Sequence, residues 1–370
     1  MKKILNFYFP CIEDGGLEKN VFSLVNSLAE KKYKINFFTY IDNTKSKKLR
    51  NKFFFNKKIN VITSSFLPGV ESRYLKYFFC FSRLFFSCLI TKGVIISFQG
   101  NILPIIAAQI TGKKIIIRCN TAPSKYINNN FKKLFFKYFY SLSDLILVTS
   151  NDFKKEIQKY FQLKSYVHRQ TLDIEQIKKE SKLKCKFDFF KKFKGLKIIN
   201  IGRLTYQKDQ MTLLRAFEKL IKNRQAKLLL IGNGEDQKDL QKFIDKKKMY
   251  KLVKIIPYVK NPFKYVKISD VKVLSSRYEG NPNILLETAC LKKLIISSDS
   301  KVGPREILQS GKGGFLFKVG GVNKLYYLLR NLNINSKNIR KKINTSYDYV
   351  IKNYQKDISI SFIKLIKNIL

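Results

Sequence analysis

Short apolar runs alternate with amphipathic helical patterns along most of the chain, and this alternation constrains the fold more than any other feature. The runs are rich in Ile, Leu, Val and Phe, which is typical of parallel strands buried on both faces. Strands that alternate with helices predict an α/β, doubly wound architecture. The predicted strands are residues 4–9, 35–40, 59–62, 94–98, 114–119, 145–149, 196–201, 228–231, 253–256, 271–274, 294–297 and 315–317.

The alternation is interrupted once, by the basic segment 178–195, and it restarts at Leu196. A chain of 370 residues is long enough for two such domains. We therefore expect two Rossmann-like domains with a cleft between them, with ligands beyond the carboxyl ends of the strands. The expected division is 1–180 for the first domain, 181–195 for a linker, 196–345 for the second domain and 346–370 for a terminal helix that crosses back to the first domain. Among the expected helices are 101–110, 126–141, 151–161, 321–332 and 337–345.

The charge of the chain is strongly unbalanced, with 73 Lys and Arg against 26 Asp and Glu and a formal net charge of +47. Such a charge is compatible with binding to a membrane surface, a polyanion or nucleic acid, or with a compositional bias. The lysines are spread along the chain and no nucleic-acid-binding motif is present, so we expect no nucleic-acid partner. The six cysteines form no CxxC pair, which favours a reduced, cytoplasmic protein without a zinc site or disulfides.

No segment has the length and composition of a transmembrane helix, and the apolar part of the N-terminus is too short for a signal peptide. Two segments, 73–90 and 131–142, mix bulky aromatic residues with Lys and Arg. Basic amphipathic helices of this kind either lie in a membrane interface or pack their aromatic side on the sheet. The first alternative predicts a peripheral protein on the inner face of the cell membrane, bound to its anionic surface.

Two glutamates stand eight positions apart where acidic residues are otherwise scarce. Glu279 lies in the loop after a predicted strand, and Glu287 lies in the second turn of the helix that follows. Asn281 is expected to cap this helix, with Pro282 at its first position. The start of the helix would then present free N–H groups to a phosphate.

Two cations lie around another strand-to-helix turn of the second half. Arg203 and Lys208 are five positions apart, and such a pair can clamp a diphosphate through a planar fork and a point charge. Glu287 could accept hydrogen bonds from the vicinal hydroxyls of a ribose, and Glu279 could hold sugar hydroxyls or stabilise developing positive charge. A turn or a glutamate pair is usually structural when it stands alone, but this order on a twin α/β chain predicts a nucleotide-sugar site.

Several short motifs follow one another along the chain. They are Gly15-Gly16-Leu17-Glu18, Gly202-Arg203-Leu204 with Gln207-Lys208-Asp209, Gly232-Asn233-Gly234, the segment 275–283 with Glu287, and Gly303-Pro304-Arg305-Glu306-Ile307-Leu308. Together they resemble the motifs of the retaining glycosyltransferases of the GT-B fold that carry an E-x7-E motif, glycosyltransferase family four (group 1). The last motif resembles bacterial surface-polysaccharide members of the family.

The resemblance implies a role for each of these positions. Arg203 and Lys208 would bind the donor diphosphate and, together with Glu279, act in catalysis, while Glu287 would bind the ribose. Gly16 would let the first domain approach the phosphates, and Gly234 with Glu235 would line the nucleotide side. The donor sugar would be held by Glu279 and by the backbone of Gly280, Asn281, Pro282 and Asn283. The resemblance implies no metal and no cofactor besides the nucleotide-diphosphate sugar that serves as donor substrate, with a glycan or a lipid-linked molecule as acceptor.

The sequence departs from the family in two places. Many members carry a histidine beyond a first-domain strand, whereas the corresponding segment 97–101 has none, which leaves Gln99, Arg118 or Asn120 to bind there instead. His168 is expected to be structural. At the end of the helix after Glu287, where the family has a small residue and a glycine, Leu291 is present, so the geometry of the helix end is open.

Two other functions compete with a sugar transferase. A nucleotide-sugar epimerase of the same fold needs first-domain groups for proton abstraction, and Asp14 and Glu18 are the near candidates. A non-catalytic polyanion-binding protein would account for the charge but not for the ordered set of site residues. The sequence therefore favours a glycosyltransferase acting on a lipid-linked or polysaccharide acceptor in cell-surface glycan biosynthesis.

Overall fold

A computed structural model describes most of the chain, and the described residues divide into two compact units. The first unit comprises residues 1–171 and 356–370, and the second comprises residues 172–355. The candidate residues Asp14 and Gly15 lie outside the described residues. The described ranges are 3–12, 16–31, 33–40, 56–64, 72–170, 172–185, 187–300, 302–354 and 357–369.

Each unit is built on one sheet in which all the described pairings are parallel. The first unit has a seven-stranded sheet in the order β3-β2-β1-β4-β5-β6-β7, and the second has a six-stranded sheet in the order β10-β9-β8-β11-β12-β13. Both orders reverse direction beside the first strand, as a doubly wound fold requires, and the predicted α/β fold is confirmed. The strands are β1 (Lys3–Cys11), β2 (Tyr33–Tyr40), β3 (Ile59–Thr63), β4 (Val94–Ser97), β5 (Ile115–Arg118), β6 (Leu145–Val148), β7 (Tyr166–Val167), β8 (Leu196–Ile201), β9 (Ala226–Ile231), β10 (Val253–Ile256), β11 (Val271–Leu274), β12 (Leu294–Ser298) and β13 (Phe315–Phe317).

Helices connect the strands and cover both faces of each sheet. Short 3-10 helices occur at 123–125, 188–190 and 309–311. The α-helices are α1 (Gly16–Glu30), α2 (Arg73–Ile90), α3 (Ile102–Thr111), α4 (Asn130–Ser141), α5 (Asn151–Phe161), α6 (Ile174–Ser181), α7 (Gln210–Ile221), α8 (Gln237–Lys246), α9 (Phe263–Ile268), α10 (Asn283–Cys290), α11 (Pro304–Ile307), α12 (Val322–Arg330), α13 (Lys337–Tyr354) and α14 (Ile358–Ile366).

The core of the first unit lies between its sheet, α1 and α14. Leu24 and Leu28 recur at helical spacing on α1 and are fully buried, and Phe362 of α14 joins the same apolar cluster. Burying each large apolar side chain contributes about 1.5–3 kcal/mol. At the surface, Lys31 and Asp357 form an ion pair of 3.2 Å that ties the start of α14 to the end of α1.

The C-terminal helices differ from the sequence expectation. The helix expected at 337–345 continues to Tyr354, because Val350 and Tyr354 extend its buried side. A separate helix, α14, then begins at Ile358, where the Asp357 side chain accepts a hydrogen bond from the Ser359 backbone N–H. The sequence prediction also missed α6, which begins where Asp173 accepts a hydrogen bond from the Gln176 backbone N–H.

None of the helices in the described ranges is long and apolar enough to cross a membrane. Helix α2 buries Cys80, Leu84 and Cys88 but leaves aromatic residues on its other side in solvent. Helix α4 buries only Tyr140 and likewise leaves Phe131 exposed. Packing on the sheet therefore accounts for only part of the aromatic content of these two helices.

Candidate functional site in the second unit

Two glycines let the loops after β8 and β9 approach each other through their backbones. A Cβ atom on Gly232 would lie 1.9 Å from the carbonyl oxygen of Gly202, and one on Gly234 would lie 2.1 Å from that of Leu204. The Leu204 N–H donates to the Asn233 carbonyl at 2.9 Å. The glycines therefore fix the turn that carries the predicted phosphate-binding residues. Contact of Gly234 with a nucleotide stays a prediction.

Lys208 and Glu279 are joined directly, although the sequence prediction gave them separate ligands. The Lys208 Nζ donates to the Glu279 Oε1 at 2.6 Å, and the two side chains are 16% and 6% exposed. Arg203, by contrast, is exposed, and its guanidinium donates a long hydrogen bond of 3.4 Å to the Gln207 Oε1. A guanidinium in this position can bind an anion without first leaving a buried partner.

The two site loops are held together by hydrogen bonds that involve their backbones. The Arg277 N–H donates to the Gln207 carbonyl at 2.8 Å, and the Gln207 Nε2 donates to the Tyr278 carbonyl at 3.1 Å. The Ser275 hydroxyl donates to the Lys208 carbonyl at 3.0 Å. The turn after β8 and the loop after β11 thus form one surface, which positions Lys208 beside Glu279.

Arg277 and Asp209 add a second ion pair next to the first. The Arg277 Nη2 lies 3.4 Å from the Asp209 Oδ2, and the Arg277 guanidinium stacks 4.3 Å from the Tyr206 ring centroid. Asp209 adopts a left-handed conformation, with φ of 47°, and its carboxylate accepts hydrogen bonds from the Thr212 N–H and hydroxyl. Asp209 is therefore occupied as the cap of α7.

The predicted cap of α10 is wrong by one residue. The helix begins at Asn283, and Pro282 is the residue before it, with an extended ψ of 102°. The Asn281 Oδ1 instead accepts a weak hydrogen bond of 3.4 Å from the Tyr354 hydroxyl, while its buried Nδ2 has no partner among the described residues. Gly303, with φ of 92°, packs so closely that a Cβ would lie 2.3 Å from the Gly280 carbonyl oxygen. Its close approach sets the path of the loop before α10.

Glu287 lies in the second turn of α10, as predicted, and is half-buried. A nearby lysine was missed by sequence reasoning. Lys272 of β11 is fully buried, and its Nζ donates to the Ile201 carbonyl at 3.3 Å. Burial lowers the pKa of Lys272 well below its ordinary value and the Lys208 charge lowers it further, whereas Glu287 and Glu279 raise it. The position of Lys272 inside an apolar strand is the sequence feature that could have indicated a buried lysine here.

The end of α10 resolves the question that Leu291 left open. Leu291 has ordinary φ and ψ of −87° and 7°, whereas Lys292 adopts the left-handed conformation with φ of 51°. The Lys292 N–H donates to the Ala289 carbonyl at 2.9 Å and the Lys293 N–H donates to the Thr288 carbonyl at 3.3 Å. This is a Schellman turn with lysine in the position that glycine favours.

The candidate residues of the first unit differ in how far their side chains are hydrogen-bonded within the protein. Gly16 is the first residue of α1. The Gln99 side chain exchanges two hydrogen bonds with the Cys11 backbone, at 2.9 and 3.0 Å, and the Asn120 Nδ2 donates to the Phe98 carbonyl at 2.7 Å. Both side chains therefore hold loops together, whereas Arg118 is buried without a hydrogen-bond partner for its guanidinium among the described residues.

The two doubly wound units define a GT-B fold. Over the whole chain, the structure is similar to that of Anabaena Alr3699/HepE in complex with UDP and glucose. The TM-score is 0.79 and the sequence identity is 15%, with 100% of both chains covered. At this identity, the similarity shows the fold.

Residues 182–346 match the family model described as glycosyl transferases group 1, and this segment is a group 1 glycosyltransferase domain. The chain is 38% identical over 180 residues to an uncharacterized glycosyltransferase of Methanocaldococcus jannaschii, covering 47% of this chain and 44% of the relative. It is also 27% identical over 239 residues, 61% of this chain and 62% of the relative, to the N-acetylgalactosamine-N,N'-diacetylbacillosaminyl-diphospho-undecaprenol 4-alpha-N-acetylgalactosaminyltransferase of Campylobacter jejuni. The chain thus matches less than two thirds of the length of either relative.

Proposed function

We propose that the chain is a glycosyltransferase that moves a sugar from a nucleotide-diphosphate sugar to a lipid-linked or polysaccharide acceptor in cell-surface glycan biosynthesis. The observation that carries this proposal is the Lys208–Glu279 pair beside the exposed Arg203, at the strand ends of a group 1 glycosyltransferase domain. The UDP and glucose bound by Alr3699/HepE support the donor class. The diphospho-undecaprenol in the name of the Campylobacter relative supports a lipid-linked acceptor.

In the proposed donor complex, Arg203 binds the diphosphate with its planar fork and Lys208 adds a point charge. Lys208 is paired with the Glu279 carboxylate in the free protein. An incoming diphosphate therefore displaces this carboxylate from Lys208 and not only water. Glu279 then accepts hydrogen bonds from the donor sugar, while Glu287 accepts them from the ribose hydroxyls. The backbone of Gly280, Asn281, Pro282 and Asn283 borders the sugar.

The proposed reaction is a front-face displacement with retention and without a metal ion. The bond from the sugar carbon to the diphosphate oxygen breaks as the acceptor oxygen attacks from the same face. The acceptor proton passes to the departing diphosphate. Negative charge grows on the leaving group, where Arg203 and Lys208 stabilise it. Removing one such cation raises the barrier by about 2.7–4 kcal/mol, by analogy with the loss of an oxyanion donor.

The test begins with a thermal-shift panel of nucleotide sugars, because a bound donor raises the apparent stability. Transfer is then measured with the donor that binds, with and without EDTA, and the anomeric configuration of the product is read by NMR. We expect Lys208→Met and Glu287→Ala to lose transfer, and Lys242→Ala, on the exposed face of α8, to keep it. Wild-type rates in the first two variants would contradict the site assignment, and an inverted product would contradict retention.

The epimerase alternative is tested by incubating the protein with the same donor but without acceptor. An epimerase converts the donor to its epimer without any acceptor and exchanges a carbon-bound hydrogen with solvent. We expect the donor NMR spectrum to stay unchanged in deuterated buffer when no acceptor is present. Appearance of a deuterated epimer would replace the transferase proposal.

We further propose that α2, α3 and α4 dock the first unit on the inner, anionic face of the cell membrane. Helix α3 packs between the other two, and the three together expose apolar side chains and the cations Arg73, Arg83, Lys132 and Lys133. Exposed aromatic and aliphatic groups beside lysines suit the headgroup region of an anionic bilayer. The exposed apolar residues of these helices are Tyr74, Leu75, Phe78, Phe86, Leu89, Ile90, Ile110, Phe131, Leu134, Phe135 and Tyr138.

The docking proposal is tested by cosedimentation with liposomes that contain phosphatidylglycerol. Binding should weaken as salt rises and should fall in Phe78→Ser/Phe131→Ser, since both the charge and the apolar contact contribute. Tyr250→Ser, an exposed aromatic of the second unit, is the matched control and should bind as wild type does. Absence of cosedimentation at low salt would remove the membrane role.

A further inference from the structure

In the described part of the first unit, Arg118 is a buried cation whose guanidinium has no hydrogen-bond partner. It ends β5 and is 1% exposed, yet its Nε, Nη1 and Nη2 have no hydrogen-bond partner among the described residues. The face of the Phe98 ring, 5.3 Å from the guanidinium carbon, is a contact but accepts no conventional hydrogen bond. Burial lowers the pKa of Arg118 to about 10, so the group stays charged at neutral pH. A buried charge without a partner is costly, so a compensating ligand is expected.

Two further unpartnered polar groups lie on the same face of the sheet as Arg118. Arg118 pairs with Leu147 of β6, and Leu147 pairs with Tyr166 of β7. Residues paired in a parallel sheet share a face, as do residues two positions apart on one strand. Thr149 and His168, each two positions further on, therefore follow on that face. The Thr149 hydroxyl and the His168 Nδ1 are buried and have no partner in the described part of the chain.

The proton on the His168 ring can be placed from the contact of its Nε2 with a backbone carbonyl. The His168 Nε2 lies 3.2 Å from the Ile358 carbonyl oxygen, which can only accept, so Nε2 carries the proton and Nδ1 carries a lone pair. Burial lowers the pKa of His168 to about 3, with a further contribution from the Arg118 charge, so the ring is neutral. The three side chains thus offer one cationic fork, one hydroxyl and one acceptor.

We propose that Arg118, Thr149 and His168 form a binding site for one phosphoryl group at the C-terminal edge of the first unit's sheet. The guanidinium would donate to two phosphoryl oxygens and the Thr149 hydroxyl to a third. The His168 Nδ1 would accept from a protonated phosphoryl oxygen or from a water held beside it. A carboxylate has two oxygens and would leave one of these groups without a partner.

The choice of phosphoryl over other anions rests on the proposed function, because the nucleotide-sugar donor and a lipid-linked acceptor both carry phosphoryl groups. The source is either the diphosphate of the nucleotide-sugar donor or the phosphate that links the acceptor to its lipid. Both present the same chemistry to Arg118. The two sources are separated by using UDP and a short-chain isoprenyl phosphate as probes, with inorganic phosphate as the minimal ligand.

The experiment measures thermal unfolding of the full chain with each probe, in wild type and in Arg118→Met. Without ligand, Arg118→Met should unfold at the same temperature as wild type or higher, since an unpaired buried charge is removed. Its response to phosphate should disappear, with binding weakened by about ten-fold or more. A response to UDP alone that depends on Arg118 assigns the site to the donor, and one to isoprenyl phosphate alone assigns it to the acceptor.

Arg224→Met is the matched control, because the Arg224 Nη1 donates to the carbonyls of Leu329, Arg330 and Leu332 at 2.8, 3.1 and 2.9 Å. This variant should lose thermal stability and keep the phosphate response. Should Arg118→Met fail to fold, Arg118→Lys and Thr149→Val provide the same comparison. Each should fold and respond to phosphate less than wild type does.

Two results would overturn the inference: no response of wild type to any of the three probes, or a full response in the Arg118 variants. Lys208→Met separates this failure from that of the proposed function. If Lys208→Met loses the UDP response while Arg118→Met retains responses to all probes, the donor site stands and the phosphoryl site falls. If Arg118→Met alone loses the phosphate response and no transfer is ever found, the phosphoryl site stands without the proposed reaction.

Discussion

The Lys208–Glu279 pair should contribute to folding stability as well as to the proposed chemistry. Its atoms are 2.6 Å apart and its side chains are 16% and 6% exposed, so neither charge is well solvated. Lys208→Met leaves the Glu279 carboxylate buried without its cation. Glu279→Gln leaves the Lys208 ammonium with a neutral partner. Each single substitution therefore strands one charge, and the double substitution strands neither.

The expected magnitude follows from the burial. Breaking a fully buried pair from one side costs about 3–5 kcal/mol. Lys208 retains some contact with water, so we expect about 2–3 kcal/mol for Lys208→Met. Glu279→Gln should cost at least about 1 kcal/mol, because the Lys208 ammonium is left with a neutral partner. The double variant Lys208→Met/Glu279→Gln should lie within about 1 kcal/mol of wild type, which implies a coupling energy of at least about 2 kcal/mol.

The assay is urea unfolding followed by circular dichroism, at pH 7, for wild type, both single variants and the double variant. The matched control is the same cycle on the exposed pair of α8, Lys242 and Asp239. That pair is 3.7 Å apart with side chains 80% and 74% exposed, and its coupling should stay below about 0.5 kcal/mol. Equal coupling energies in the two cycles would refute the argument from burial.

Three further outcomes are expected. Lys248→Gly should raise the free energy of unfolding by about 1 kcal/mol in urea titrations, because Lys248 adopts a left-handed φ of 53°. Lys272→Met should be more stable than wild type at pH 7, with an advantage that shrinks as pH approaches 10.5. The unfolded chain binds the Lys272 proton more readily, so wild-type stability rises with pH over this range; parallel pH profiles of the two proteins would contradict the assignment. Glu279→Gln should bind UDP more tightly in calorimetry, since Lys208 is released, while transfer falls; weaker UDP binding would count against the competition between carboxylate and diphosphate.

The parts of the fold that follow local rules could be predicted from the sequence. The apolar runs mark the strands, and β8, β10, β11 and β13 have the predicted bounds. Helix α7 likewise follows the apolar spacing and is capped by Asp209. These features depend on hydrophobic periodicity and helix capping, which are determined by residues close to each other in the sequence.

The ends of helices were less predictable where a residue other than glycine adopts the left-handed conformation. Helix α3 ends at Gly112 with φ of 61°, which a sequence reader recognises. The same turn ends α8 at Lys248 and α10 at Lys292, with φ of 53° and 51°. A lysine in the sequence does not indicate a left-handed backbone conformation. At these two positions the conformation is determined by the packing of the residues that follow each helix.

Pairings across the sheet could not be predicted at all. Lys208 and Glu279 are separated by 71 positions and meet only because β8 and β11 are neighbours. The burial of Arg118 and Lys272 is equally a product of tertiary packing, since each ends or lies within an apolar run that suits any strand. The sequence therefore predicts which residues form the candidate site but not which of them neutralise one another.

That neutralisation bears on the extreme charge of the chain. A protein with a net charge of +47 attracts any polyanion, and a bare cluster of cations at the donor site would bind many of them. In the second unit, Glu279 holds Lys208 and Asp209 holds Arg277, while Arg203 stays exposed. An anion without hydroxyl groups must displace the Glu279 carboxylate from Lys208 and offers that carboxylate no new partner. A sugar diphosphate also displaces it, but the sugar hydroxyls can then donate hydrogen bonds to Glu279. The scarce carboxylates thus make the site selective in a way that a non-catalytic polyanion-binding surface would not need, and this favours the transferase over that alternative.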